Sequence, residues 1–289
     1  MIELLALGSA VLYGSADFFG GLTARRANTI ATVFWSQFVG LLLLAIFLPF
    51  LPATTVSSRD WTWGFIAGVG GGIGVALLYR ALAVGVMAIV APTTAVVAAM
   101  IPVVFAFVMG ERLRPLTLAG VALALVAIAL VSRPASESST DSEKTKPRGF
   151  PPGFGLALLS GVAIGIFFLS LARTATAAGM WPLMAARFSS IGLFGLIALF
   201  TKKTLRLSRP AATTATAGGA LDMAANALYM IAARVGPLSI VVTLASLYPA
   251  STVILARFVL GERLSAVQLI GIASALGAVA IIVSQGAAV

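Results

Sequence analysis

Neither cysteine nor histidine occurs anywhere in the 289 residues, and charged side chains make up only 10% of them. The first absence excludes disulfides and thiolate metal sites, and the second removes the commonest general base and a principal metal ligand. No glycine-rich phosphate loop leads into a lysine, which excludes an ATP-hydrolysing site of the usual kind. Lysine is missing from the apolar runs, and the few acids within them stand apart rather than in ligand clusters. The expectation is a protein that is not an enzyme and carries no cofactor and no metal. An ordinary globular domain has about 25% charge; a chain with so little cannot clothe itself for water.

What is present is apolar length. Residues of the hydrophobic set account for 60% of the chain, and the mean hydropathy is +1.07. A hydrocarbon core about 30 Å thick takes about 20 apolar residues per helix. Apolar runs and their breakers place spans near 2–22, 30–50, 61–84, 87–109, 116–132, 153–172, 180–200, 211–233, 238–260 and 266–284. This predicts an all-α membrane protein of ten transmembrane helices, multi-pass in an inner (cell) membrane. Met1-Ile2-Glu3 is acidic where a cleavable leader is basic, so the first helix is expected to be retained.

The formal charge of +10 does not point to nucleic acid, because the basic residues sit in short loops between apolar runs. Arg25, Arg26, Lys202, Lys203, Arg206, Arg209, Arg263 and the basic residues of 133–152 collect on one side, against Arg59, Arg112, Arg114, Arg173 and Arg234 on the other. By the positive-inside rule, the loop 133–152 is cytoplasmic and both termini lie outside.

The chain repeats itself. Gly110-Glu111-Arg112-Leu113 returns as Gly261-Glu262-Arg263-Leu264, a shift of 151 residues that also aligns Gly85 with Gly236, Gly120 with Gly271, Ser9 with Ser160 and Gly14 with Gly165. The predicted organisation is a five-helix repeat over 1–132, a polar linker over 133–152 and a second five-helix repeat over 153–289. The linker is too rich in serine and charge to be buried. An odd number of spans per repeat turns the second half upside down relative to the first, the plan of many secondary transporters.

Paired five-helix repeats with a Gly-Glu-Arg-Leu turn after helices four and nine resemble the EamA family of the drug/metabolite transporter superfamily, over nearly the whole chain. The resemblance implies export or exchange of a small metabolite, commonly an amino acid, without an ATP-hydrolysing partner. It also implies a pathway lined by helices one, three, four, six, eight and nine. Arg187 matches an early arginine of the family's seventh helix, while the corresponding place in the second helix reads Ser36-Gln37. Expected partners are a small-molecule solute and the bilayer, with proton coupling and no nucleic acid, and the chain acting as monomer or homodimer. Two alternatives stand beside this: a broad drug or organic-cation exporter, and a non-transporting receptor or regulatory subunit.

Charge within spans is costly and faces a polar interior. The residues concerned are Asp17, Arg80, Arg187, Asp222 and Arg257, the last near enough to a helix end to snorkel. Asp17 and Arg80 lie at similar depth near helix ends on one side, which suits either a compensating pair or a transport role; Tyr13 lies one turn before Asp17. Asp222, Asn226 and Tyr229 follow at spacings of four and three, on one helix face. Asp222 falls roughly 17 Å into its span, with no basic residue expected at its depth, which makes it a candidate proton carrier or cation ligand. Tyr79 and Tyr229 recur near the ends of spans three and eight, as solute-facing rings or as interfacial anchors. Trp35 and Tyr248 are weaker candidates of the same kind.

Three further features have structural readings. Gly64, Gly68 and Gly72 form a stripe suited to close helix packing. Pro92, Pro102 and Pro249 are expected to bend spans four and nine. Gly110 and Gly261 suit a left-handed helix end, and Glu111 and Glu262 the dipole of the helix that follows, or else a gate at the membrane surface.

Overall fold

The computed structural model describes residues 1–50, 55–110, 114–131, 150–235, 241 and 244–286. Among these it has ten α-helices and no strand. They are α1 (Ile2–Arg26), α2 (Thr29–Phe47), α3 (Ser58–Val84), α4 (Met87–Val108), α5 (Pro115–Val131), α6 (Phe154–Leu171), α7 (Trp181–Phe200), α8 (Arg209–Val235), α9 (Tyr248–Val259) and α10 (Ala266–Gly286). The linker expectation for 133–152 lies mostly outside the described residues, as does Glu111.

Among the described residues, seven helices, α1–α4, α6, α7 and α10, are long and apolar enough to cross a membrane. The chain is thus a multi-pass membrane protein, and the described parts of the remaining three expected spans differ from these seven in length or composition. α5 is apolar but only 17 residues long. α8 has 27 residues but carries Thr213, Thr214, Thr216, Asp222 and Asn226. α9 has 12 residues and begins after a turn at Ser246–Leu247. Pro249 therefore sits in the first turn of a new helix, where its missing N–H costs nothing, rather than bending a continuous span. Pro92 and Pro102 do lie inside α4.

Connections at the helix ends are tight and capped locally. Asn28 accepts from the Ile30 N–H at 3.1 Å to start α2 two residues after α1 ends. Ser57 and Asp60 make a reciprocal capping box at the start of α3, and the second Asp60 oxygen accepts from the Ala175 N–H at 2.7 Å, tying down the α6–α7 connection. Ser265 and Gln268 do the same for α10, at 3.0 and 3.2 Å.

Packing pairs the two halves. α1 lies on α8 and α6 on α3; α2 lies on α8 and α7 on α3; α1 meets α9 and α6 meets α4; α5 packs on α10. Exchanging each helix of one half for its counterpart in the other leaves these pairings unchanged. The correspondence extends to single residues. A Cβ on Gly14 would stand 2.9 Å from the Thr252 nitrogen, and one on Gly165 would stand 2.4 Å from the Ile101 Cβ; Ile101 and Thr252 are separated by the same 151 positions as the two glycines. The α1 terminus at Arg25 and the start of α6 at Gly153 both lie against the end of α3.

The glycine stripe of α3 faces α7. A Cβ on Gly64 would meet the Pro182 carbonyl at 2.6 Å, on Gly68 the Ala186 carbonyl at 2.2 Å, and on Gly72 the Ser190 hydroxyl at 2.5 Å. Only hydrogen fits there, so the helices approach backbone to backbone. That contact fixes the height of α7 against the rest of the bundle and with it the position of Arg187.

Candidate functional site

Arg187 lies in the second turn of α7, with only 8% of its surface exposed. Its guanidinium donates to Asp222 on α8 and to the side-chain oxygen of Gln37 on α2. Gly40, one turn beyond Gln37, leaves the room: a Cβ there would lie 3.2 Å from the guanidinium carbon. Asn226 donates to the Asp222 backbone carbonyl at 2.7 Å and lies 3.5 Å from its carboxylate. Asp222 thus has a basic partner, contrary to the sequence expectation. Counting depth from each helix start compares Cα positions and leaves out the reach of a long arginine side chain.

Gln37 was the unrecognised member of this cluster. Its signal was available, since Ser36-Gln37 stands where Arg187 stands in the other repeat, and a mid-span amide is rare enough to need a partner. Gly40 gave no signal of its own.

Asp17 on α1 lies within electrostatic reach of Asp222. It is partly exposed, and among the described residues it takes part in no hydrogen bond or ion pair. The proposed pairing with Arg80 is absent: Arg80 is exposed and lines a groove at the end of the bundle with Asn28 and Lys203. Similar depth on two helices does not make them face each other, and α3 turns Arg80 outward.

Tyrosines surround the carboxylates. Tyr13, one turn before Asp17, sets its ring edge-on to Tyr248 of α9, centroids 6.5 Å apart. Tyr13 also lies within electrostatic reach of Asp222, Arg187 and Tyr229, and Tyr248 within reach of Asp17. Tyr229 is partly buried among Ile2, Leu5 and Val241. Tyr79 is near both carboxylates but is 4% exposed, wedged against Gly20 with its hydroxyl 3.5 Å from the Ser36 hydroxyl. It forms the wall behind the site, not its open face. Trp35 stands apart at the bundle's rim, its indole N–H bonded to the Leu205 carbonyl at 2.7 Å.

The structure therefore brings Asp17, Tyr13, Tyr79, Arg187, Asp222, Asn226 and Tyr229 into one neighbourhood drawn from α1, α3, α7 and α8, with Gln37 of α2 and Tyr248 of α9 added. Its ionisable groups are one guanidinium, which is paired, and two carboxyl groups, of which Asp222 is paired and Asp17 is not. Tyr13, Asp17, Asp222, Asn226 and Tyr229 each keep some exposed surface.

The Gly-Glu-Arg-Leu turn at 261–264 closes one end of the bundle. Gly261 has φ of +67° and Gly110 of +86°, the left-handed ends expected of them. The Glu262 carboxylate, however, does not serve the helix that follows it. It accepts from the Met87 and Ala88 N–H groups at 2.9 and 3.0 Å, at the start of α4 in the other half, with Arg25 3.6 Å away. Two orphan donors and a positive helix end are satisfied by one carboxylate, while α10 has its own cap in Ser265 and Gln268.

A search of curated proteins finds no match. A solved crystal structure, described only as that of a "protein", aligns with a TM-score of 0.54 at 18% identity over 95% of each chain, a likeness of fold. The profile of the EamA-like transporter family matches twice, over residues 1–133 and 151–284. Two matches, one per five-helix half, leave little of the chain outside them: it belongs to the EamA-like transporter family of the drug/metabolite transporter superfamily.

Proposed function

We propose that this chain is a secondary transporter that moves a small metabolite bearing a protonated amino group, an amino acid being the simplest example, by alternating access between two inverted repeats in the inner membrane. The observation that carries the reading is Asp17: a partly exposed carboxyl group within electrostatic reach of Asp222, whose arginine partner is already engaged by Gln37. With both carboxyl groups ionised, one further positive charge balances the site, and an ammonium head or a proton supplies it. Competition between the two for the same carboxylates couples solute movement to a proton gradient. The tyrosine rings of Tyr13, Tyr248 and Tyr229 suit the solute's apolar part and a cation near their faces. Rocking of one half on the other is supported by the exchangeable packing of α1 with α8 and α3 with α6.

The test is counterflow in proteoliposomes loaded in turn with amino acids, aromatic organic cations and organic anions. Exchange of an amino-bearing solute, lost in Asp17→Asn, is the expected result. Exchange of bulky organic cations alone would favour a drug exporter, and binding without exchange a receptor. Exchange of anions alone, or an unaltered Asp17→Asn variant, overturns the proposal.

A further inference from the structure

The end of the bundle where α7 hands over to α8 holds a groove lined by none of the carboxyl groups, tyrosines or Arg187 of the site above. It is open, about 1060 Å³ in volume, and runs between α2, α7 and α8. Its upper rim carries Lys202, Lys203 and Arg206, and a second groove of about 650 Å³ shares Lys203 and adds Arg80. Among the described residues, no acidic side chain lines either one. Below the rim the lining turns apolar: Leu199, Ala198 and Gly195 descend α7, and Ala212 faces them from α8. From Lys202 down to Gly195 is about 10 Å along the helix. Leu199 is 71% exposed and its neighbour Phe200 80%, so this wall opens toward lipid.

The backbone is arranged to hold the cations at that height. α7 ends with the Lys203 N–H bonded to the Ala198 carbonyl at 3.0 Å, a closure that puts Lys202 at φ of +53°. Glycine is the unstrained choice there; Lys202 is the one non-glycine residue with positive φ among those described. The extended stretch that follows half-buries Leu205 and Leu207 and leaves Lys203 and Arg206 exposed. The Trp35 indole holds the Leu205 carbonyl, which fixes this stretch against α2.

We infer that this groove binds an anionic phospholipid, its phosphate among Lys202, Lys203 and Arg206 and one acyl chain along the α7 wall beside Trp35. Charge complementarity selects the headgroup, and the apolar descent toward the bilayer selects a lipid over a soluble anion. Clusters of basic residues beside spans attract anionic lipid in this way.

Trp35 supplies the readout, because the other tryptophans, Trp61, Trp63 and Trp181, lie at the starts of α3 and α7, at the opposite end of the bundle. The protein, with those three replaced by phenylalanine, is placed in vesicles containing phosphatidylglycerol or phosphatidylcholine brominated on the acyl chain. Bromine on phosphatidylglycerol is expected to quench Trp35 at the lower mole fraction. That preference is expected to fall by roughly five-fold for each charge removed in K202Q, K203Q and R206Q, and to survive Lys→Arg. Phosphatidylglycerol retained by the detergent-purified protein, counted by native mass spectrometry for wild type and for K202Q/K203Q/R206Q, gives a second reading with all tryptophans in place. Equal quenching by the two lipids, a preference or retention unchanged in the charge variants, or displacement of the brominated lipid by soluble glycerol phosphate would each overturn the inference.

Discussion

The guanidinium of Arg187 on α7 is bound to the carboxylate of Asp222 on α8, 35 residues further along the chain. Arginine is 9% and aspartate 28% exposed at the side chain. Removing one partner of a buried pair leaves the other uncompensated, which costs roughly 3 kcal/mol. Arg187→Leu and Asp222→Leu are each expected to lower stability by about that amount, and the double variant by clearly less than the sum. Unfolding of the four proteins in a double-mutant cycle measures it; strictly additive losses would mean that the pair contributes nothing as a pair.

Gly68 and Gly192 are both helical glycines, yet opposite outcomes are expected at the two. A Cβ on Gly68 would strike a backbone carbonyl at 2.2 Å, whereas one on Gly192 meets nothing within 4 Å. Gly68→Val should abolish folded protein in membranes. Gly192→Ala should be tolerated and gain about 0.5–1 kcal/mol, the usual benefit of alanine over glycine within a helix. Size-exclusion profiles and melting temperatures of the two variants decide the matter.

Tyr79 and Tyr229, which recur near the ends of spans three and eight, separate on burial. Truncating Tyr79 empties a packed position against Gly20 and Leu82, at a cost of about 3 kcal/mol. Tyr229→Ala should leave the fold intact and weaken solute affinity, by about 0.5–1.5 kcal/mol if a ring contact is lost. Melting temperature reads the first effect, and concentration dependence of counterflow reads the second.

Glu262 satisfies two amides of α4 from the far half of the chain. Glu262→Ala is expected to cost about 1–2 kcal/mol, the range for a lost helix cap, and Glu262→Gln less, because one acceptor survives. Hydrogen exchange at Met87 and Ala88 should speed up in the alanine variant. Unchanged exchange there would show that water replaces the carboxylate without loss.

Legibility from sequence followed the range of the interaction. The 4-and-3 spacing of Asp222, Asn226 and Tyr229 puts them on one face because helix geometry is local, and α8 carries them so. The left-handed φ of Gly110 and Gly261 is likewise a local requirement. Partners across helices were harder. Arg187 with Asp222 depends on side-chain reach and on how deep α7 sits against the Gly64–Gly72 stripe, neither of which a residue count contains. Arg80 shared a depth with Asp17 but not a direction. Pro249 looked like a kink because an apolar run does not reveal that the helix restarts at Tyr248.

The reach of Glu262 to Met87 and Ala88 also orders the making of the protein. Synthesis delivers α4 to the membrane some 175 residues before the carboxylate that caps it. Through that interval the first α4 amides must be served by water or headgroups at the bilayer surface, so the first half is inserted before it is finished. Maturation of the amino-terminal half therefore waits on translation of the carboxy-terminal one, and a product truncated between α4 and residue 262 still displays the open start of α4 to quality-control proteases.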